Sequence, residues 1–345
     1  MHIINAMFSR GLGGIEQCFV DYCEAIIAHG HKVTAIIHHD AKIRKSLENK
    51  GINIVNVKNF GGWDPLAKSY LKKILKQSNP DAVIAHGNRA VSLLKPAAKK
   101  QNCPMVGVTH NYSVKKLIGL DAIFAITDDL KKHVIANGQA ENTIYRIPNM
   151  IKMPGAMPKM RNFHSPVVIG TMGRFVKKKG FDIFLRSLAI LQEQGIDFKA
   201  IIGGTGEEEQ SLKSLANKLA IADKTNFIGW VNNKEQLFDN IDIFCLPSLH
   251  EPFGIILLEA FMSGRPVITS ASEGPIEIAT NNKDCLVTET GSAEAMADAI
   301  KQLINDRKLA KILPQEAFKT ASKYEIKAVG QMICDAIEDI ISHKT

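Results

Sequence analysis

Apolar positions along the chain fall into two kinds of run. HIINAMF from residue 2, VTAIIHH from 33, INIVNV from 52, DAVIAHG from 81, PMVGVTH from 104, AIFAIT from 122 and TIYRIPN from 143 are short and largely apolar, and segments of helical length separate them. Strands apolar on both faces and joined by helical crossovers belong to a covered parallel sheet, so residues 1–150 are expected to form a Rossmann-like domain. The rhythm restarts with VVIGTMGRF at 167 and continues through FKAIIGG, NFIGWV, DIFCLPS, PVITSAS and CLVTE. Intervening helices are expected near 181–194, 207–221, 234–240, 254–263, 275–281 and 292–306, which makes residues 167–323 a second α/β domain.

Between the two, residues 151–166 carry three prolines, one glycine and no periodicity, and read as a linker. The tail from about 308 to 343 is helical in pattern, with a break expected at Pro314. Its last apolar stripe, Val329, Ile333, Ile337 and Ile340, needs a surface to cover, and the first domain is the expected one. Ligands of open parallel sheets bind beyond the carboxyl ends of the strands, so two such domains are expected to face each other across a cleft.

The chain has 345 residues, 45% apolar and 23% charged, which excludes disordered, collagenous and disulfide-stapled classes. No apolar run approaches the roughly eighteen residues that a bilayer helix needs. The opening MHIINAMFSRG lacks the pattern of a signal peptide, so a cytoplasmic location is expected. Six cysteines form no CxxC pair and read as small apolar residues. Residues 1–150 hold 20 Lys plus Arg against 11 Asp plus Glu, a net of +9, whereas residues 151–345 hold 23 against 24, a net of −1. Clusters such as KSYLKKILKQ at 68–77 offer a surface to anionic lipid, an acidic acceptor or nucleic acid, or are simply solvated helix faces. Nucleic acid is disfavoured because aromatic residues for base stacking do not interleave with the lysines.

Three segments carry candidate chemistry. The first strand runs into SRGLGGIEQ, where Gly11, Gly13 and Gly14 precede a helix expected over 15–29. A glycine turn opening a helix presents backbone N–H groups to a phosphate, although the third glycine of the dinucleotide fingerprint is missing and a tight βα turn explains the glycines equally well. In GRFVKKKG, Arg174 and Lys179 follow the first strand of the second domain and can hold a diphosphate, Arg as a planar fork and Lys as a point charge. In LPSLHEPFGIILLEAFMSGRPVI, Glu251 precedes a Pro-Phe-Gly turn that opens a helix, and Glu259 lies eight residues later on that helix. Carboxylates accept hydrogen bonds from hydroxyls, so this pair suits a sugar ring and a ribose, while either Glu alone would default to a capping role.

With GLGGIE at the start, YRIPN at the junction, and GRFVKKKG, IIGGTGEEE, FIGWV and the E-P-F-G-x4-E-A core in this order, the chain resembles the retaining GT-B glycosyltransferases that use nucleotide sugars. The resemblance spans essentially the whole length. It implies a GT-B fold, two Rossmann-like domains facing across a cleft, with the C-terminal helix crossing back to an acceptor-binding first domain. It also implies a donor site in which Gly13 and Gly14 and the cations Arg174 and Lys179 meet the diphosphate. Glu251, with backbone groups of Phe253, Gly254 and Ile255, would meet the transferred sugar, and Glu259 the ribose. Gly204, Gly206 and Val231 would border the nucleobase. His110 matches the family's active-site histidine, and His86 and Glu277 are implied beside the cleft. His38, His39 and His250 lack a partner at metal-ligand spacing and read as surface or packing residues.

No DxD triplet occurs, so no metal or other cofactor is expected. Cys285 stands where the family usually has glycine. The implied activity is transfer of a hexose-type sugar from a UDP-, GDP- or ADP-sugar to a hydroxyl acceptor, with retention. A glycolipid or lipopolysaccharide-type glycan is favoured by the basic first half, and with it a peripheral position on the inner face of the cytoplasmic membrane. A nucleotide-sugar epimerase, a dehydrogenase resting only on GLGG, and a non-catalytic sugar-nucleotide-binding or RNA-binding protein stay open.

Overall fold

The computed structural model describes residues 1–48 and 50–344. These divide into two compact units, Met1–Lys152 with Tyr324–Thr345, and Met153–Lys323. The first holds a seven-stranded sheet of β1 (His2–Met7), β2 (Lys32–His38), β3 (Asn53–Val57), β4 (Ala82–His86), β5 (Met105–Val108), β6 (Ala122–Ala125) and β7 (Ile144–Arg146). Its strand order is β3-β2-β1-β4-β5-β6-β7. The second unit holds β8 (Val167–Met172), β9 (Phe198–Gly203), β10 (Thr225–Gly229), β11 (Ile243–Leu246), β12 (Val267–Ser270) and β13 (Leu286–Thr288), in the order β10-β9-β8-β11-β12-β13.

Every strand pairing is parallel. That follows from the composition of the central strands: β1, β4, β5, β6, β8, β11 and β12 are buried nearly throughout, which only a sheet covered on both faces permits. Each unit has its own apolar core, one around Ile4, Leu71, Val83 and Leu94, the other around Ile169, Phe184, Leu188 and Ile300. In both sheets the order reverses beside the first strand, between β1 and β4 and between β8 and β11. Ligands of open parallel sheets bind beyond the carboxyl ends of the strands at such a reversal.

The tail differs from expectation at one point. Pro314 lies inside a continuous helix, Arg307–Ser322, and the interruption comes at 323–325. Leu313, Pro314 and Ala317 are all buried, and the helix packs on the helix Ile255–Met262, so tertiary contact offsets the hydrogen bond that proline removes. The final helix, Ile326–Ser342, covers the helix Gly14–Ala28 of the first unit with Val329, Ile333, Ile337 and Ile340, as the apolar stripe requires. Its Gly330 lies so near that a Cβ there would meet the His29 ring at 2.6 Å and the Ala25 Cβ at 3.0 Å. Among the described residues no helix is long and apolar enough to cross a membrane.

Candidate active site

The carboxyl edge of the second sheet is built from glycines pressed against backbone. A Cβ on Gly204 would lie 1.9 Å from the carbonyl oxygen of Gly173, and one on Gly206 would lie 2.3 Å from that of Phe175. The loops after β8 and β9 are therefore in contact along their backbones, joined by Gly173 N–H to Gly203 O (3.0 Å) and Phe175 N–H to Thr205 O (2.9 Å). Gly204 N–H donates in turn to Gly229 O at the end of β10 (2.7 Å). On the other side, Gly180 has φ +63° and leaves only 2.0 Å between a Cβ and the Pro247 carbonyl, while the Lys178 carbonyl accepts from the N–H groups of Leu249 and His250. The loops after β8 and β11, on the two sides of the strand reversal, are thus locked together.

Into this frame Lys179 and Glu251 project as an ion pair. Glu251 is buried, and its carboxylate also accepts from the Ser248 hydroxyl (3.4 Å). The Glu251 N–H donates to the Glu273 carboxylate (3.2 Å), whose other oxygen meets His250 Nδ1 (2.8 Å), and Gly274 N–H donates to the Glu251 carbonyl (2.8 Å). Glu273 therefore straps the loop that presents Glu251. Burial raises the Glu273 carboxyl, but the hydrogen bonds from His250 and from backbone N–H groups outweigh it and leave the carboxyl below its usual range. Gly254, at φ +94°, ends the turn, and Ile255 is the first residue of the helix, so its N–H has no partner within it. A cation beside a helix N-terminus is a setting for an anion. Arg174 lies in the same loop as Lys179 and is exposed.

Glu259, just over one turn into that helix, pairs through one oxygen with Lys234, which lies beyond β10. Its other oxygen is buried with no hydrogen-bond partner. Burial raises the carboxyl above its usual range, and Lys234 opposes the rise. An ionised carboxylate with an open acceptor position is suited to a hydroxyl pair. Val231 packs where a Cβ on Gly203 would meet its Cγ2 at 2.5 Å, next to the exposed Trp230. Glu277 lies in the short helix Pro275–Ile278 that follows β12 at the same edge.

In the first unit, His86 ends β4 and His110 lies two residues beyond β5, so both occupy the carboxyl edge beside the strand reversal. His86 Nδ1 and His110 Nε2 are 3.0 Å apart and the rings stack at 5.1 Å. Phe19 and Tyr22 meet the buried His86 edge-on. His86 Nε2 is enclosed without a partner. An orphaned acceptor lone pair costs less than an orphaned N–H, which assigns the proton of His86 to Nδ1, donating to His110 Nε2. Burial holds both rings neutral: His110 is lowered to about 4 and His86 well below its usual 6.5, with His110 adding to the effect on His86. Gly13 precedes the helix Gly14–Ala28, whose first turn carries Glu16, held by Ser9. An acid in that first turn already takes part of the helix dipole that a phosphate would use.

Among the described residues two clusters bring three ligating atoms within 4.8 Å of one another: Cys18, His86 and His110, and His38, His39 and Asp40. Burial pushes the Cys18 thiol well up, away from the thiolate that a metal requires. Arg10 lies 3.1 Å from His38 Nε2, a cation where a metal would sit. The expectation that His38 and His39 lack a partner at ligand spacing is corrected by Asp40, which approaches both; His38 itself is fully buried. His250 likewise has a partner, Glu273. Glu273 and Lys234 were not legible as site residues, since nothing in the sequence pairs them with glutamates 22 and 25 positions away.

Two family models match the chain: that described as Glycosyltransferase Family 4 over residues 12–153, and that described as Glycosyl transferases group 1 over residues 156–320. Among similar proteins, the lipopolysaccharide core biosynthesis glycosyltransferase LpsD of Rhizobium meliloti (strain 1021) is 28% identical, with 94% of this chain and 95% of that one covered. LpsE of the same organism is 27% identical, with coverage of 95% and 94%. The crystal structure of Anabaena HepE in complex with UDP and glucose superposes with a TM-score of 0.84 at 19% identity, covering 98% and 100% of the two chains. The apo form of the lipopolysaccharide outer core galactosyltransferase WaaB gives 0.81 at 17% identity, covering 98% and 99%.

Proposed function

The chain is a glycosyltransferase of the GT-B group 1 family, its two domain models together spanning most of its length, and from that premise we propose a donor, an acceptor class and a role for each site residue. The donor is a nucleoside diphosphate hexose, the acceptor a hydroxyl of a lipopolysaccharide-type glycan, and the anomeric configuration is retained. The relatives LpsD and LpsE, which match end to end, support the acceptor class.

The observation that carries this reading is the Lys179–Glu251 pair held at the strand reversal of the second sheet. Departure of the diphosphate leaves negative charge on its oxygens. Lys179 and Arg174 meet that charge, and the N–H of Ile255 at the helix start adds a dipole, so the leaving group departs without a divalent ion. Glu251, with backbone groups of Phe253 and Gly254, accepts from hydroxyls of the transferred sugar, and Glu259 accepts from the ribose through its open oxygen. Gly204, Gly206 and Val231 border the base. For the first unit, the family resemblance assigns Gly13 and Gly14 to phosphate and His110, neutral and bonded to His86, to sugar; for the second it assigns Glu277 to the donor.

The test is turnover of UDP-, GDP- and ADP-hexoses with a truncated lipopolysaccharide core as acceptor, with and without EDTA, and product configuration read by NMR. One nucleotide sugar is expected to give a product of unchanged anomeric configuration, insensitive to EDTA. Glu251→Ala is expected to lower kcat about 100-fold or more, as loss of a group that acts on the reacting sugar does. An altered sugar nucleotide formed without any acceptor would instead establish the epimerase reading.

A further inference from the structure

Among the described residues, the most exposed large apolar side chains of the first unit lie together. Phe60 is 73% exposed, Trp63 72%, Leu66 79% and Tyr70 49%. All four fall within eleven consecutive residues, in the loop after β3 and the first turns of the helix Pro65–Ser78. Folding does not require them there, because the buried face of that helix is already supplied by Ala67, Leu71 and Leu75. The loop is nonetheless fixed. Asp64 accepts from the N–H groups of Phe60, Leu66 and Ala67, and Gly62 packs so tightly on the helix Asn88–Lys100 that a Cβ would meet Ser92 at 2.9 Å. A rigid, solvent-facing aromatic cluster marks an interaction surface.

What surrounds it selects the partner. From residue 50 to 120 the chain has twelve Lys and Arg and only two acids, Asp64 and Asp81. Both acids are engaged, Asp64 in the cap and Asp81 with the N–H of His2. Leu66, Tyr70 and Lys73 follow at i, i+4 and i+7 on one exposed stripe, with Lys72 and Lys76 beside it. The helix Asn88–Lys100 packs alongside and brings Lys100 next to Lys72. That proximity lowers the Lys72 ammonium, first through Lys100 and then through the weaker effects of burial and Lys76. None of Lys58, Lys68, Lys72, Lys73, Lys76, Lys99 and Lys100 has an ion pair among the described residues. Like charges held together with no ion-pair partner await an anionic surface, and Lys58 over the Phe60 ring (5.6 Å) joins the basic and aromatic parts.

We propose that Phe60, Trp63, Leu66 and Tyr70, with Lys72, Lys73, Lys76 and Lys100, form the face by which this chain docks on an anionic lipid bilayer. The aromatic tip enters the headgroup region, where Trp and Tyr are favoured, and the lysines meet lipid phosphates. The cluster follows the carboxyl end of β3, and β4 and β5 of the same sheet lead to His86 and His110 at that same edge. Docking by this face thus keeps the edge at which an acceptor is read close to the membrane. The inference rests on the reading of a lipid-borne glycan acceptor.

The test uses the full chain with Trp230→Phe, which leaves Trp63 as the only tryptophan, and phosphatidylcholine vesicles with and without phosphatidylglycerol. Anionic vesicles are expected to shift Trp63 emission to the blue and to bind at least about tenfold more tightly than neutral ones, with binding lost in high salt. Lys72→Glu with Lys100→Glu, and separately Phe60→Ser in the chain that retains Trp63, are expected to weaken binding by about tenfold without changing the melting temperature or transfer to a soluble acceptor fragment. An unshifted Trp63 overturns the proposal, as does equal binding of neutral vesicles. A shift produced by a soluble glycan, by an oligonucleotide or by self-association without vesicles also overturns it, in favour of that occupant. Failure of vesicle binding with intact transfer removes this surface alone, whereas loss of transfer in the unmodified chain removes the functional reading.

Discussion

His86 is a histidine that the fold keeps from titrating. Above pH 6.5 both folded and unfolded chains hold His86 and His110 neutral, and neither contributes a pH dependence. Below 6.5 the unfolded chain takes up protons that the folded one refuses, until His110 ionises at about 4. Stability is therefore expected to fall as pH drops through that window, with a slope of up to about 1.4 kcal/mol per pH unit for each histidine and less for the partly exposed His110. His86→Asn retains an amide donor toward His110 while removing one of the two groups, and urea denaturation from pH 7.5 to 4.5 should show a shallower acid slope. Parallel slopes would mean that these rings are not kept neutral. His86 and His110 were both legible as strand-terminal histidines. Their direct bond was not, because 24 residues separate them and only the adjacency of β4 and β5 brings them together.

At the scale of elements, the donor edge depends on close backbone contact more than on any side chain. Gly204→Ala places a methyl group 1.9 Å from the Gly173 carbonyl, so the loops after β8 and β9 must separate. The expected outcome is a loss of about 1–3 kcal/mol of stability, together with weakened protection by the nucleotide of the donor. Calorimetry and a thermal-shift titration measure the two effects. Unchanged nucleotide affinity would show that these loops do not border the base. Strands and most helices were readable from apolar rhythm alone, since buried parallel strands announce themselves. The break expected at Pro314 was misplaced because local propensity knows nothing of the helix Ile255–Met262 packed against it. Glutamates 251 and 259 were readable from their spacing around a glycine turn, but Glu273 and Lys234 enter through loop-to-loop contacts that depend on sheet order.

For the whole molecule, the two units are not two consecutive lengths of chain, since Tyr324–Thr345 returns to the first. Removing residues after 323 uncovers the helix Gly14–Ala28 where Val329, Ile333 and Ile337 lie. Such a chain is expected to lose the melting transition of the first unit, bind a hydrophobic dye and keep nucleotide-protected melting of the second. Scanning calorimetry with and without the nucleotide distinguishes the transitions. A full-length-like profile would show the final helix to be dispensable. The same interleaving has a temporal side. On the ribosome the first unit is made early yet finished last, so its oily flank stays bare throughout synthesis of the second unit, a stretch in which chaperones have a natural foothold and a premature stop near the end spoils what was made first.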